Sequence, residues 1–186
     1  PDYERLVRLG LEGVIAESDA AGPGRERQNA YRRAMRIACE AVIEWAGRYA
    51  EAAQRKAGTA DDPLVRQCLL RVADACRHVP ARPARSFFEG LQAILLVHLA
   101  LHVEGQGLSV SIGLPDRALA PFAQEAAHRP DEAAELAAAF VLGVSRNALL
   151  GRGSKTQAVT IGGADHTGRD RCNAVTLAML RGWQLC

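Results

Sequence analysis

The stretch from Leu91 to Val103 is apolar on nearly every side, interrupted only by Gln92, His98 and His102. A helix of that kind has no face to give to water and must be enclosed by other elements. Ser86, followed three residues later by Glu89, forms a capping-box signature just ahead of the apolar run, so the helix starts there and continues to about Val103. The segment Glu104 to Gly107 breaks it. The run falls short of the roughly 20 apolar residues needed to span a bilayer, which makes it a buried helix rather than a membrane segment.

Enclosing such a helix takes chain, and 186 residues at 48% hydrophobic and 24% charged are an ordinary composition for a folded domain with a real core. The formal net charge of +2 is the remainder of 23 basic and 21 acidic residues spread along helical patterns, so neither nucleic acid nor an anionic membrane is an expected partner. The five cysteines, Cys39, Cys68, Cys76, Cys172 and Cys186, make an odd set without a CxxC pair. Neither a disulfide framework nor a zinc site is expected, and a reducing cytoplasm is the default location. The opening Pro1 to Arg5 shows no signal-peptide pattern, and the start reads as cut.

Helical periodicity dominates the rest. Residues 2–19 permit helix, but Gly10 and Gly13 divide it into two short pieces joined by a turn. After the loop holding Gly22-Pro23-Gly24, Asn29 is placed to cap a long helix ending near Gly58. On it Tyr31, Ala34, Ala38, Ala41, Val42, Trp45, Tyr49 and Ala52 form the expected buried stripe. Asp62-Pro63 opens another helix with Leu64, Cys68, Val72 and Cys76 on one face, ending at His78-Val79-Pro80. An alanine-rich helix from Asp131 buries Leu136, Phe140 and Val141, and Asp170 or Asn173 caps a last helix through Leu180. Two short alternating runs, Leu108 to Ile112 and Gln157 to Ile161, have the period of strands. The fold class is therefore mainly α with a few β-strands.

Few constellations carry chemistry unaided. Gly151 to Thr156 has a glycine, a lysine and a threonine, but Ser154 and Leu149 stand where a phosphate loop needs glycine, so the segment reads as a solvated loop. His98 and His102, four apart on one helix face, could hold zinc with Glu104 nearby, yet hydrogen-bonded core histidines are the simpler reading and no metal site is expected. Cys39 sits in a helical stripe, where a reactive thiolate has neither exposure nor a positive neighbour. Asp165, His166, Gly168 and Asp170 read as Asx-turn and cap residues. Ser109 and Ser111 share one face of the first strand and could aim hydroxyls into a substrate pocket, with packing within the strand as the other reading.

Several segments together resemble the glycyl radical enzymes, the family of pyruvate formate-lyase and its glycerol dehydratase-like relatives. Pro1 to Leu6 with Leu9 to Gly13 is similar to the stretch that follows a Gly-His pair in that family. Ala41 to Ala50 and Val79 to Gln92 resemble its helices, His102 to Gly113 with Asp116 its first-half barrel strand, and Ile161 to Asp165, Gly168, Asp170 and Asn173 its "GG.d..G.DatN" turn. The match runs nearly end to end, so the chain is read as one segment, 1–186, from the amino-terminal half of a catalytic domain and truncated at both ends.

The resemblance implies a place in an α/β barrel of ten strands, inside which a backbone glycyl radical passes through a cysteine thiyl radical to cleave C–C or C–heteroatom bonds of a small molecule. It also implies a homodimer and a radical S-adenosylmethionine activating enzyme as partner. Neither the "RVsGY"-like radical loop nor the "GC.E"-like cysteine loop occurs in the sequence, so no catalytic residue and no cofactor are assigned to this chain, and alone it is not expected to turn over. Ser109 stands where dehydratase-like members place a pocket serine, while Leu108 and Leu114 replace a histidine and an arginine, and Asp116 and Asp165 match structural acids. A non-catalytic helical scaffold or binding protein, or an inactive paralogue, is the alternative.

Overall fold

The apolar run becomes the helix around which the others pack. The computed structural model describes residues 1–22, 24–104, 110–147 and 157–186. In chain order these form α1 (Tyr3–Ala20), α2 (Glu26–Gly58), α3 (Pro63–His78), α4 (Phe87–Glu104), α5 (Pro115–Ala118), a 3-10 turn (Ala120–Phe122), α6 (Ala123–His128), α7 (Pro130–Asn147) and α8 (Ala174–Gln184). Phe87, Leu91 and Ile94 of α4 are buried against Leu6 and Val7 of α1, Leu119, Phe140 of α7 and Met179 of α8, while Leu96 packs with Ala46 and Ala50 of α2 and Cys76 of α3. By length and composition α4 could cross a membrane, but it also carries the buried polar side chains Glu89, His98 and His102, each partnered within the protein. The enclosure is incomplete at its end, where Leu101 and Val103 are exposed.

The start of α4 follows the capping logic with one addition. The Ser86 hydroxyl accepts from the Glu89 amide at 3.3 Å, and the Glu89 carboxylate reaches back to the Arg85 amide at 2.7 Å and to the Arg85 guanidinium. Burial pushes the Glu89 carboxyl up, and the hydrogen bonds and charge of Arg85 outweigh that and hold it below the ordinary carboxylate range. A buried charge is tolerated here because it is paired at once with a backbone donor and a cation.

The expected division of α1 is a kink rather than a turn between separate helices. Gly10 has φ 66° and ψ 173°, a region only glycine occupies readily, and a Cβ there would stand 2.3 Å from the Ala81 carbonyl oxygen. The kink frees the Leu11 and Glu12 amides to donate to Pro80 and Ala81 carbonyls at 2.8 and 2.9 Å, stitching α1 to the linker before α4. Gly13, by contrast, lies within the helix.

The stripe expected on α2 is a correction. Tyr31 is 73% exposed and Tyr49 42%, and Ala34, Ala38 and Ala41 are exposed too, whereas Ala46, Ala50, Ala53 and Ala57 are buried. Small residues let backbones approach closely, so alanines and not the larger side chains make the contact that also buries Cys76 of α3. Ile37, Val42 and Trp45, with Ala34, Ala38 and Ala41 beside them and Val97 and Leu101 of α4 opposite, instead line an open apolar groove of about 670 Å³. On α3, Leu64 and Cys68 are likewise exposed, leaving Ala73, Ala75 and Cys76 as its buried residues. Asn29 does not precede α2 but sits in its first turns, clasping Gly24 through both its amide groups at 2.9 and 3.0 Å.

The two expected strands do not form a ladder. Among the described residues, the runs meet only at an isolated parallel bridge between Gly113 and Val159, with hydrogen bonds from Ile112 N to Ala158 O at 3.1 Å and from Thr160 N to Gly113 O at 2.7 Å. A two-stranded pairing this short has too few bonds to propagate as a strand by itself. Leu108 lies outside the described residues.

Gly10→Ala is expected to destabilise the protein by about 2–5 kcal/mol, combining a disallowed backbone region with a clash against a carbonyl. Gly22→Ala, at φ 70° with open space around its Cβ, is expected to cost no more than about 1–2 kcal/mol. Urea denaturation of the two variants tests that ordering.

Candidate functional site

The candidate site is built where residues 110–117 meet residues 157–164. Asp116, fully buried in the first turn of α5, is its anchor. Its Oδ2 accepts from the Gly162 amide and from the Thr176 hydroxyl, each at 2.7 Å, which ties the second run and α8 to one carboxylate. Asn173 caps α8 by accepting from Val175 N at 2.8 Å, and its Nδ2 donates to the Asp116 carbonyl at 3.4 Å. Of the two caps proposed from sequence it is therefore Asn173 that serves, while Asp170 accepts from Cys172 N within the turn. Gly162 has φ 69°, and a Cβ there would lie 2.8 Å from the Cys172 sulfur, so glycine is needed where the chain passes this cluster. Arg117 donates to the Gly162 and Ala164 carbonyls at 3.2 and 3.1 Å, holding the start of the same turn.

Asp165 does what its sequence context predicts. Its Oδ1 accepts from Thr167 N, Thr167 Oγ1 and Arg169 N, an Asx-turn arrangement that holds the carboxyl below the ordinary range. Neither Asp116 nor Asp165 is arranged as a general acid or base: one joins three segments in the interior and the other closes a turn.

At the other end of the second run stand the two histidines. His98 and His102 are buried and both direct Nε2 at Gln157 Oε1, at 2.6 and 2.9 Å, while Tyr3 Oη lies 2.8 Å from His98 Nδ1. Burial holds the His98 pKa below its ordinary value. The histidine pair is thus part of a hydrogen-bonded core, and among the described residues no group of three metal-ligating side chains forms. Gln157 and Tyr3 were not singled out from the sequence; a glutamine at a strand edge and a tyrosine near a terminus give no local signal, because their partners lie 59 and 95 residues away.

Of the serines proposed to bind substrate, Ser109 lies outside the described residues and Ser111 is exposed, immediately before the paired Ile112. The Gly151 to Thr156 segment also lies outside them. Beside Gln157 a cavity of about 300 Å³ is lined by Phe140, Val144, Val159, Met179 and Trp183. Cys39 is partly buried, with its thiol pushed up by burial and by Glu40, and burial raises Cys76 to about 11, so neither is a ready nucleophile.

The described residues form a mainly helical frame in which an interior carboxylate holds two short runs joined by one parallel bridge, and comparison with known proteins supplies the family. The pyruvate formate lyase-like family model matches residues 1–184. Isethionate sulfite-lyase of Bilophila wadsworthia is 30% identical over 97% of the chain and 24% of that enzyme. (2S)-3-sulfopropanediol dehydratase of Klebsiella oxytoca is 28% identical over the same shares of each. The crystal structure of a glycyl radical enzyme from Archaeoglobus fulgidus superposes with a TM-score of 0.80 at 31% identity, covering 97% of the chain and 26% of that protein. The chain belongs to the pyruvate formate lyase-like family of glycyl radical enzymes. It spans about a quarter of the length of the curated relatives it matches.

Asp116→Ala leaves a buried amide and a buried hydroxyl without their acceptor and is expected to cost about 2–4 kcal/mol, while Asp116→Asn, which can keep one acceptor oxygen, should cost less. Chemical denaturation with circular dichroism measures both. His98 gives a pH prediction with a fixed sign. Its folded pKa lies below the unfolded value near 6.5, so its contribution is fully present above pH 6.5 and is lost as pH falls from there through the folded value. Melting temperature should fall between pH 7 and pH 5.5, and His98→Gln should reduce that slope.

Proposed function

We propose that this segment forms part of the substrate-pocket wall of a glycyl radical lyase or dehydratase, an enzyme that cleaves a C–C or C–heteroatom bond of a small molecule by thiyl radical chemistry. The observation that carries the reading is the parallel pairing of residues 112–113 with 158–160, anchored by Asp116 within a frame whose family is shown. In the proposal these runs are neighbouring strands of the family's ten-stranded barrel, with Ser109 and Ser111 contacting substrate from the first of them. The segment's part is to position and to exclude water; the radical glycine and the thiyl cysteine belong to loops that this sequence does not contain. The intact enzyme is proposed to be a cytoplasmic homodimer, charged by a radical S-adenosylmethionine activating enzyme.

Leu108 and Leu114, where dehydratase-like relatives place a histidine and an arginine, favour a substrate held less through hydroxyl groups at this wall. The relatives named for isethionate and sulfopropanediol make a small sulfonate the first class to test.

The test is anaerobic turnover of the intact, activated enzyme against isethionate, sulfopropanediol and glycerol, with Ser109→Ala and Ser111→Ala beside wild type. Loss of one well-placed hydroxyl contact is expected to lower kcat/KM about tenfold for at least one of the serines. Wild-type values for both variants on an accepted substrate would remove the pocket role. An intact, radical-bearing enzyme that turns over none of the family's substrates would favour the inactive paralogue.

A further inference from the structure

Among the described residues the parallel pairing beside Ser111 consists of two hydrogen bonds, and a pairing that short does not specify its own register. Something outside it must do so. One end is pinned where Asp116 receives the Gly162 amide. The other end begins at Gln157, whose side chain makes three hydrogen bonds: Oε1 receives from His98 and His102 of α4, and Nε2 donates to the Val144 carbonyl of α7 at 3.0 Å.

The proton count in this cluster fixes which way the Gln157 amide is turned. A backbone carbonyl only accepts, so the Gln157 amide nitrogen must face Val144 and the amide oxygen must face the imidazoles. That oxygen only accepts, so both histidines carry their proton on Nε2. Burial disfavours the charged His98 ring, and on the neutral ring Nδ1 accepts from the Tyr3 hydroxyl.

We infer that Gln157 is a positioning residue: by docking on the His98–His102 pair and on Val144 it sets the register of residues 158–160 against 112–113, and so places the segment that carries Ser111. The clamp stands on geometry alone, and only its consequence for turnover rests on the proposed pocket. In this role Gln157 acts through Ala158 O and Thr160 N, which follow it in the chain.

The experiment is residue-resolved amide hydrogen exchange on the full chain, comparing wild type, Gln157→Leu and Tyr3→Phe. Gln157→Leu keeps similar bulk but offers neither donor nor acceptor, and it should raise exchange at the Ile112 and Thr160 amides roughly tenfold, leaving Ala50 and Cys76 in α2 and α3 within about twofold. The Nε2 nitrogen signals of His98 and His102 should shift together. Tyr3→Phe removes a bond to the same cluster but not the clamp, so it should lower overall stability without selecting those two amides. Equal acceleration everywhere in Gln157→Leu, or unchanged protection at Ile112 and Thr160, would overturn the inference. Should Gln157→Leu fail to fold, Gln157→Asn, with the same amide one methylene back, is read at the same two amides by the same criterion. Selective loosening there combined with wild-type turnover in both Ser109→Ala and Ser111→Ala would keep the clamp and remove the pocket.

Discussion

The structure depends on the burial of α4. An all-round apolar helix must be covered, and the coverage by α1, α7 and α8 brings together segments distant in sequence. That burial carries a polar obligation, because His98 and His102 enter the core with it. Unpaired, each imidazole would oppose folding; paired through Gln157 and Tyr3, they turn the core helix into a docking point for the run that starts at residue 157. The hydrophobic requirement and the placement of the candidate site are thus one constraint seen from two sides.

Asp116 solves the same problem at the other end. A single carboxylate oxygen receives a loop amide and a helix hydroxyl, so α5, the Gly162 turn and α8 cannot move independently. Close packing reinforces the arrangement: Gly182 of α8 sits where a Cβ would stand within 2.9 Å of backbone and side-chain atoms of α7. Between these two polar anchors lies the pairing next to Ser111.

The face of α2 that carries Ile37, Val42 and Trp45 is built differently. Its aromatic and branched residues line an open groove with the end of α4, while alanines make the tight contact with α3. Periodicity correctly reported a helix with an apolar face. It could not report which of two apolar faces the nearest helix takes, because closeness of approach rewards small side chains and hydropathy rewards large ones.

The family, the long helices and several of their caps were legible along the chain, although Asn29 does not cap α2. Local hydrogen bonding and 3.6-residue periodicity act within a few residues and are written there, as Asp62, Ser86, Asn173 and the Asp165 turn show. Strand period from Leu108 to Ile112 and from Gln157 to Ile161 was legible too, but strand pairing is a contact between distant segments, and between the described residues of these runs and Gly113 there is one bridge rather than a ladder. Which glycine kinks α1 and which face of α2 is covered were settled only when tertiary neighbours were in place. So was the role of Gln157 as partner to two buried histidines, since each of these depends on atoms brought close by folding and on nothing adjacent in the chain.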